Sequence, residues 1–255
     1  MEPTMKKLKV VGNGEAFTSS LCNTSFRLDL GGSAILIDCG YQVPPKLWEE
    51  EDHTDIDLIL LTHFHADHSF GVVPLLVRYL EEKRTKPLNI WGPKGVESFV
   101  TKILNLGYPG VSKYFKYQIE FSEFEEIDEK HFGEVQIRSA PTVHSIPNLT
   151  YRLDFNGSSF SVSGDGKLKP EAMALVSGVG IHFQETYELL DEIPSHCSFE
   201  EVLQMHNAGT MRSIGITHIA RHAVEPLTTL HNKLTMENKI DGNLFLTYPG
   251  QSFEF

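Results

Sequence analysis

Four aliphatic residues, Leu58-Ile59-Leu60-Leu61, run directly into Thr62-His63-Phe64-His65-Ala66-Asp67-His68, and this stretch restricts the fold more than any other. A short continuous aliphatic run is the pattern of a buried strand, and here it opens into a loop rich in metal-binding side chains. Imidazole nitrogen and carboxylate oxygen are donors that zinc, manganese and iron accept. In extended backbone, alternate side chains share a side, so His63 and His65 point the same way around Phe64. Asp67 and His68, a step further on, can turn toward a second ion. A histidine-rich surface loop without metal is the plainer alternative. Chance, however, rarely sets H-x-H-x-D-H directly behind an aliphatic strand.

Short apolar runs alternate with helix-like stretches along the whole chain. Strands are expected at residues 8–11, 25–30, 34–38, 58–61, 88–91, 117–121, 135–139, 150–155, 159–163, 180–183, 214–217 and 243–246, each bounded by Gly, Pro, Asn or Asp. Asn156-Gly157 between two of these runs signals a hairpin, because both residues tolerate positive φ. Helices are expected at 72–82, 96–106, 171–176, 199–207 and 227–237, with Ser198 and Glu201 forming a capping box and Pro226 at the entry of the last. The acidic run 120–129 keeps its apolar positions and reads as a solvated edge. No Gly-, Ser- or Pro-rich linker divides the chain. The expectation is therefore α/β, one domain over residues 1–255, with two sheets and outer helices.

Composition narrows the partners. A net charge of −12, from 22 basic and 34 acidic residues, disfavours extended nucleic acid, whose affinity rests on Lys and Arg neutralising phosphates. A small anionic substrate stays open, because bound cations would dominate the local field. Cys22, Cys39 and Cys197 are odd in number and irregular in spacing, so a reducing cytoplasm is expected rather than a disulfide framework. None sits in a C-x-x-C pair that would suggest sulfur-ligated zinc. No apolar run reaches the roughly 18 residues of a membrane span, and the start lacks the apolar core of a secretory signal.

Other segments must complete a metal centre. Pro141-Thr142-Val143-His144-Ser145-Ile146-Pro147 offers one histidine on a constrained loop behind a strand. Ser163-Gly164-Asp165-Gly166 ends another strand, with glycines that let the chain turn and the carboxylate project; that suits a ligand bridging two cations. Thr217-His218 ends a third, with His222 four residues on as the rival ligand.

With these pieces in place the chain resembles the metallo-β-lactamase superfamily, and within it the ribonuclease Z-like phosphodiesterase branch. The resemblance runs through Gly12-Asn13-Gly14-Glu15-Ala16, Cys22-Asn23-Thr24-Ser25-Phe26, Ile35-Leu36-Ile37-Asp38-Cys39-Gly40, the histidine loop, Gly71-Val72-Val73-Pro74-Leu75-Leu76, Ile90-Trp91-Gly92-Pro93-Lys94-Gly95, Ser163-Gly164-Asp165 and Thr217-His218-Ile219. It implies a four-layer α/β/β/α sandwich holding two divalent ions, zinc fitting best and manganese or iron also admissible. His63, His65 and His144 would hold one ion and Asp67, His68 and His218 the other, with Asp165 bridging.

The sequence departs from the branch at several points. Its His-Glu pair is met here by His182-Phe183-Gln184-Glu185, leaving Gln184 and Glu185 as rivals for the acidic position. The usual threonine after Gly-Asp is Gly166, and no long basic arm lies between Gly95 and Val135. Pro194-Ser195-His196-Cys197-Ser198 looks like the branch's His-Ser-Thr segment, which puts His196 at the phosphate site, unless it is a structural histidine capping a helix.

The function this implies is hydrolysis of a small phosphodiester, such as a cyclic nucleotide or a short nucleic-acid end. A water shared by two ions about 3.5–4 Å apart would be the nucleophile, acting beside Asp67, and His196 would serve the leaving oxygen. The same centre also suits a lactone or thioester hydrolase, since fold and metals do not fix the leaving group. A metal-binding sensor with little turnover is the reading from another class. A homodimer is expected by analogy with the proteins it resembles.

Overall fold

A computed structural model describes residues 6–49 and 56–255; residues 1–5, part of the start read above for a signal, lie outside the described residues. The chain divides into two compact units. One comprises Met1–Gly12, Leu21–Glu123 and Tyr248–Phe255, the other Asn13–Ser20 and Phe124–Thr247.

The first unit is built on β1 (Lys7–Gly12), β2 (Ser25–Asp29), β3 (Ala34–Ile37), α1 (Val43–Leu47), β4 (Ile56–Leu60), α2 (Ala66–Ser69), α3 (Val72–Glu81), β5 (Leu88–Pro93), α4 (Val96–Gly107) and β6 (Ile119–Phe124). The second contains β7 (Asp128–Phe132), β8 (Val135–Val143), β9 (Leu149–Phe155), β10 (Ser158–Val162), β11 (Lys167–Leu168), α5 (Pro170–Val176), β12 (Ile181–Glu185), α6 (Phe199–Ala208), β13 (Ile214–Thr217), α7 (Val224–Met236) and β14 (Leu244–Leu246). The last strand, β15 (Ser252–Glu254), returns to the first sheet beside β1.

The two sheets repeat one plan. In the order β15-β1-β2-β3-β4-β5-β6, the strands from β15 to β3 pair antiparallel, whereas β3, β4 and β5 run parallel. In the order β11-β8-β9-β10-β12-β13-β14, β8 to β10 pair antiparallel and β10, β12, β13 and β14 run parallel. Parallel strands joined by helices are covered on both faces, which is why β3 reads as an unbroken aliphatic run and β4 as one interrupted only by Asp57, both buried at every position. Helix α3 buries Val72, Val73, Leu75, Leu76 and Tyr79, the spacing of one apolar stripe, into a core shared with Leu36, Ile59 and Leu61. The second unit has its own core, where Phe199, Val202, Ile214, Ile216 and Leu227 meet. Ile59 is fully buried, so Ile59→Ala would remove about 2–5 kcal/mol of stability.

All twelve expected strands and all five expected helices are present, and local chemistry explains their ends. Asn156 (φ 48°) and Gly157 (φ 78°) make the tight turn between β9 and β10. Ser198 accepts from the Glu201 amide while the Glu201 carboxylate accepts from the Ser198 amide, closing the capping box of α6. Helix α7 begins at Val224, earlier than expected, and Pro226 sits inside its first turn, where a missing N–H leaves no helical bond unmade. The acidic run 120–129 spans β6, which edges the first sheet, and the start of β7.

Candidate metal centre

Each ligand-type residue lies at or just beyond the carboxyl end of a strand. In the first unit, β4 delivers the chain to His63. His63 Nε2 and His65 Nδ1 converge to 3.1 Å, while Phe64 turns away and stacks on Phe99 at 4.4 Å. His65 precedes α2 in extended backbone, and that single turn carries Asp67 and His68, whose side chains approach at 3.4 Å.

The loop is clamped by the end of the neighbouring β3. Cys39 N–H donates to the His68 carbonyl at 2.7 Å, and Gly71 N–H to the Cys39 carbonyl at 2.8 Å. A Cβ on Gly40 would collide with the Asp67 carbonyl oxygen, so only glycine lets the two backbones meet. Asp38 completes the clamp. It holds a left-handed φ of 58°, accepts from the Thr62 amide at 2.7 Å and the Thr62 hydroxyl at 2.8 Å, and lies 2.7 Å from His68 Nδ1. Complete burial pushes its carboxyl above the usual carboxylate range, against the opposing pull of His68 and Thr62. With Nδ1 engaged, His68 presents Nε2 outward (the usual arrangement of a metal-ligating histidine).

In the second unit the ligands come singly. Asp165, just beyond β10, has one carboxylate oxygen 3.9 Å from His144 Nε2 and the other 3.5 Å from His218 Nε2. Its backbone is fixed by Thr142 and Asn148, which donate to its carbonyl at 2.7 and 2.6 Å. His144 follows β8 and keeps Nδ1 within 3.0 Å of the Ser195 carbonyl. His218 follows β13 with φ 56°, and its amide donates to the Asn13 carbonyl at 2.8 Å. Gly166 has φ 92°, and a Cβ there would strike the Val143 carbonyl, which accounts for glycine where the resemblance leads one to expect threonine.

Glu185 is almost fully buried. Its carboxylate accepts from the Cys197 amide at 2.8 Å and the Gly166 amide at 3.2 Å, and lies 2.6 Å from His196 Nδ1. Burial alone would lower the His196 imidazole, but the hydrogen bond and charge of Glu185 outweigh it and the net shift is upward. The ring is stacked on Tyr187 at 4.4 Å and meets His144 edge-on at 5.2 Å.

In the first unit His63, His65, Asp67 and His68, and in the second His144, Asp165 and His218, offer side chains that could take part in holding a metal ion. All offer imidazole nitrogens or carboxylate oxygens, a donor set that fits a borderline divalent cation. His222 stays apart, exposed and 2.7 Å from Glu188. Gln184 faces His182 and the backbone, so the acidic position beside His196 belongs to Glu185. Three supporting residues were not singled out from sequence: Asp38, Thr142 and Asn148. The signal for Asp38 was its position at a strand end before Cys39-Gly40; nothing in sequence marks the other two.

Comparison with known proteins sets this geometry in a class. The crystal structure of YhfI from Bacillus subtilis, titled a metallo-β-lactamase fold protein, superposes with TM-score 0.80 over 98% of this chain and all of that one, at 19% identity. Human tRNase Z, short form, gives 0.75 over 97% of this chain and 98% of that one, at 16% identity. The chain thus has the metallo-β-lactamase fold that the sequence led one to expect. A ribonuclease Z of Methanococcus maripaludis (strain C7) is 32% identical over 148 residues, 57% of this chain and 47% of that protein. The chain spans about half the length of the curated relatives it matches. The family model described as Anti-Pycsar protein Apyc1 matches residues 6–226, and the chain belongs to that family.

Proposed function

We propose that the chain is a metal-dependent phosphodiesterase with two divalent ions, zinc fitting the donors best. One ion would be held by His63, His65 and His144 and the other by Asp67, His68 and His218, with Asp165 between them. One observation carries the reading: the Asp165 carboxylate directs separate oxygens toward His144 and His218, the two histidines assigned here to different ions. When bound, paired cations lower the pKa of a shared water and offset charge developing on a phosphoryl group. The chain's own residues do the rest. Asp38 and Thr62 orient His68, Thr142 and Asn148 fix the turn that aims Asp165, and Asp67 would accept a hydrogen bond from the attacking water. His196, with Nδ1 engaged by Glu185, keeps Nε2 to hold a proton for the leaving oxygen.

The two units act as one domain in this reading, on a small diester such as a cyclic nucleotide or a short nucleic-acid end. The charge of −12 supports a compact substrate over extended nucleic acid. Three free, buried cysteines suit the cytoplasm, and no helix among the described residues is long and apolar enough to cross a membrane. Light scattering tests the homodimer that belongs to the same reading. The deciding experiment pairs elemental analysis with turnover of bis(p-nitrophenyl) phosphate, acyl esters and lactones on one purified sample. About two equivalents of metal with diester turnover are expected. Turnover confined to lactones or acyl esters would move the chain to carbonyl chemistry, and metal without any turnover to sensing.

A further inference from the structure

The segment between β12 and α6 carries His196, and its construction includes one contact that the metal chemistry leaves unused. Its two feet are zipped together by backbone. The Tyr187 amide donates to the Cys197 carbonyl at 2.8 Å, the Phe199 amide to Glu188 at 2.7 Å and the Glu200 amide to Leu189 at 3.1 Å. The tip, residues 190–196, holds itself with two backbone bonds among the described residues, from Glu192 to Leu190 and from His196 to Ile193. Leu190, Asp191, Glu192 and Pro194 are exposed, so packing does little to place it.

By hydrogen bond or ion pair, this tip meets the rest of the second unit at three places among the described residues. The Ser195 carbonyl lies 3.0 Å from His144 Nδ1, and His196 Nδ1 lies 2.6 Å from Glu185; these are the groups the loop serves. The third place is the ion pair of Asp191 with the Lys167 ammonium. Lys167 follows Asp165-Gly166 and pairs in β11 with Val143, the residue before His144. Its ammonium also approaches Glu201 Oε1 at 3.2 Å, while Glu201 Oε2 closes the capping box at Ser198. One cation thus joins the tip and the foot of the loop to the strand that leads into His144. The Lys167 side chain is 18% exposed and that of Asp191 51%.

We propose that Lys167 is a positioning residue whose ammonium, between Asp191 and Glu201, staples the loop so that the Ser195 carbonyl and the His196 ring reach their places together. The inference rests on the phosphodiesterase reading and adds a residue to it. Loss of the staple slackens two functions at once. His144 loses a firm acceptor for Nδ1, and outer partners of this kind govern metal affinity. His196 spends less time at the leaving oxygen, which lowers kcat and leaves substrate binding as it was. Because Asp191 is half-exposed, dissolved salt screens the pair and acts in the same direction. Arginine keeps the charge at similar reach, so Lys167→Arg retains the staple where methionine, of similar bulk and no charge, does not.

The test compares wild type with Lys167→Met, Lys167→Arg and Asp191→Asn, first without turnover. In metal-free protein the amides of residues 190–196 should exchange with deuterium about five-fold faster in Lys167→Met, the size expected for loss of partly exposed ion pairs. Competition with a chelator should show zinc affinity weakened about five-fold, and kcat on bis(p-nitrophenyl) phosphate should fall by a similar factor with KM unchanged. Lys167→Arg should restore all three. Raising salt from about 0.1 to 1 M should lower kcat in wild type and leave that of Lys167→Met flat. Asp191→Asn, a change at the exposed tip, should give the same pattern at about half the size, and it decides the matter if Lys167→Met does not fold. Wild-type exchange and zinc affinity in Asp191→Asn would overturn the staple and leave the phosphodiesterase reading intact. Faster exchange spread evenly over the second unit, with no centre at 190–196, would also overturn it and make Lys167 a residue of general stability. A wild type inert on every diester, with the exchange and affinity effects present, would remove that reading and keep the staple.

Discussion

The two units meet the same chemical demand in opposite ways. The first places four ligand-type side chains on one loop and braces it with backbone: the Cys39 and Gly71 amides, the close passage of Gly40 beneath Asp67, and one carboxylate, Asp38. The second contributes His144, Asp165 and His218 from the ends of three strands, each aligned by its own network through Ser195, Asn148 or Asn13. Concentration along the chain produces a rigid, locally encoded set. Concentration through topology produces a set that exists only once parallel strands have aligned, and its accuracy depends on buried side chains with no other task.

Four measurements would break or sharpen this contrast. The largest effect is expected from Asp165→Ala, which removes the carboxylate proposed to bridge the two ions. Bound metal should fall by at least one equivalent and kcat/KM by more than the roughly 100-fold that removing a supporting residue costs. Retention of two equivalents would show that the dispersed set is dispensable. Next comes His196→Ala, expected to lower kcat about 100-fold or more with metal content unchanged, as loss of a proton donor should. An unchanged kcat would leave His196 a structural residue beside Glu185. Third, Asp38→Asn should weaken metal binding about 10–100-fold by loosening His68, and Asn148→Ala should cost less, because Thr142 still holds the Asp165 carbonyl. Equal losses in a metal titration would erase the distinction between the units.

The smallest effect concerns a histidine that is no ligand. His182, fully buried between Ser161 and Gln184, has its pKa lowered from 6.5 to about 4, chiefly by burial. The folded chain keeps it neutral, whereas the unfolded chain protonates it below about 6.5. Its contribution is therefore complete above pH 6.5 and lost as pH falls toward 4. Urea titrations should show wild type losing roughly 3 kcal/mol more than His182→Gln across that window. Parallel curves would mean that this imidazole does not report the dryness of the second core.

The contrast also explains what was legible in the sequence. The histidine loop could be read directly because its ligands are neighbours behind an aliphatic strand, and β3 because burial on both faces leaves an unbroken run. His144 and His218 became readable only together with that loop. Strand β7 was missed because Asp128–Phe132 is half-exposed and polar on both sides, so no periodicity marks it. Helix α1 was missed because Val43-Pro44-Pro45 reads as a breaker, although proline in a first turn is compatible with helix. Asn148 and Thr142 leave no trace in sequence, since their value lies in hydrogen bonds to a residue far along the chain.

The left-handed backbone at Asp38 and His218, φ 58° and 56°, has a practical consequence. Side chains with a Cβ pay roughly 1–2 kcal/mol to occupy that region, and glycine or asparagine occupies it more easily. Directed evolution that rewards heat tolerance alone would be drawn to these two positions early. It would return hardier proteins in which the very replacements that relieved the chain had disarmed the centre, so any thermostabilisation campaign on this scaffold should freeze both codons from the outset.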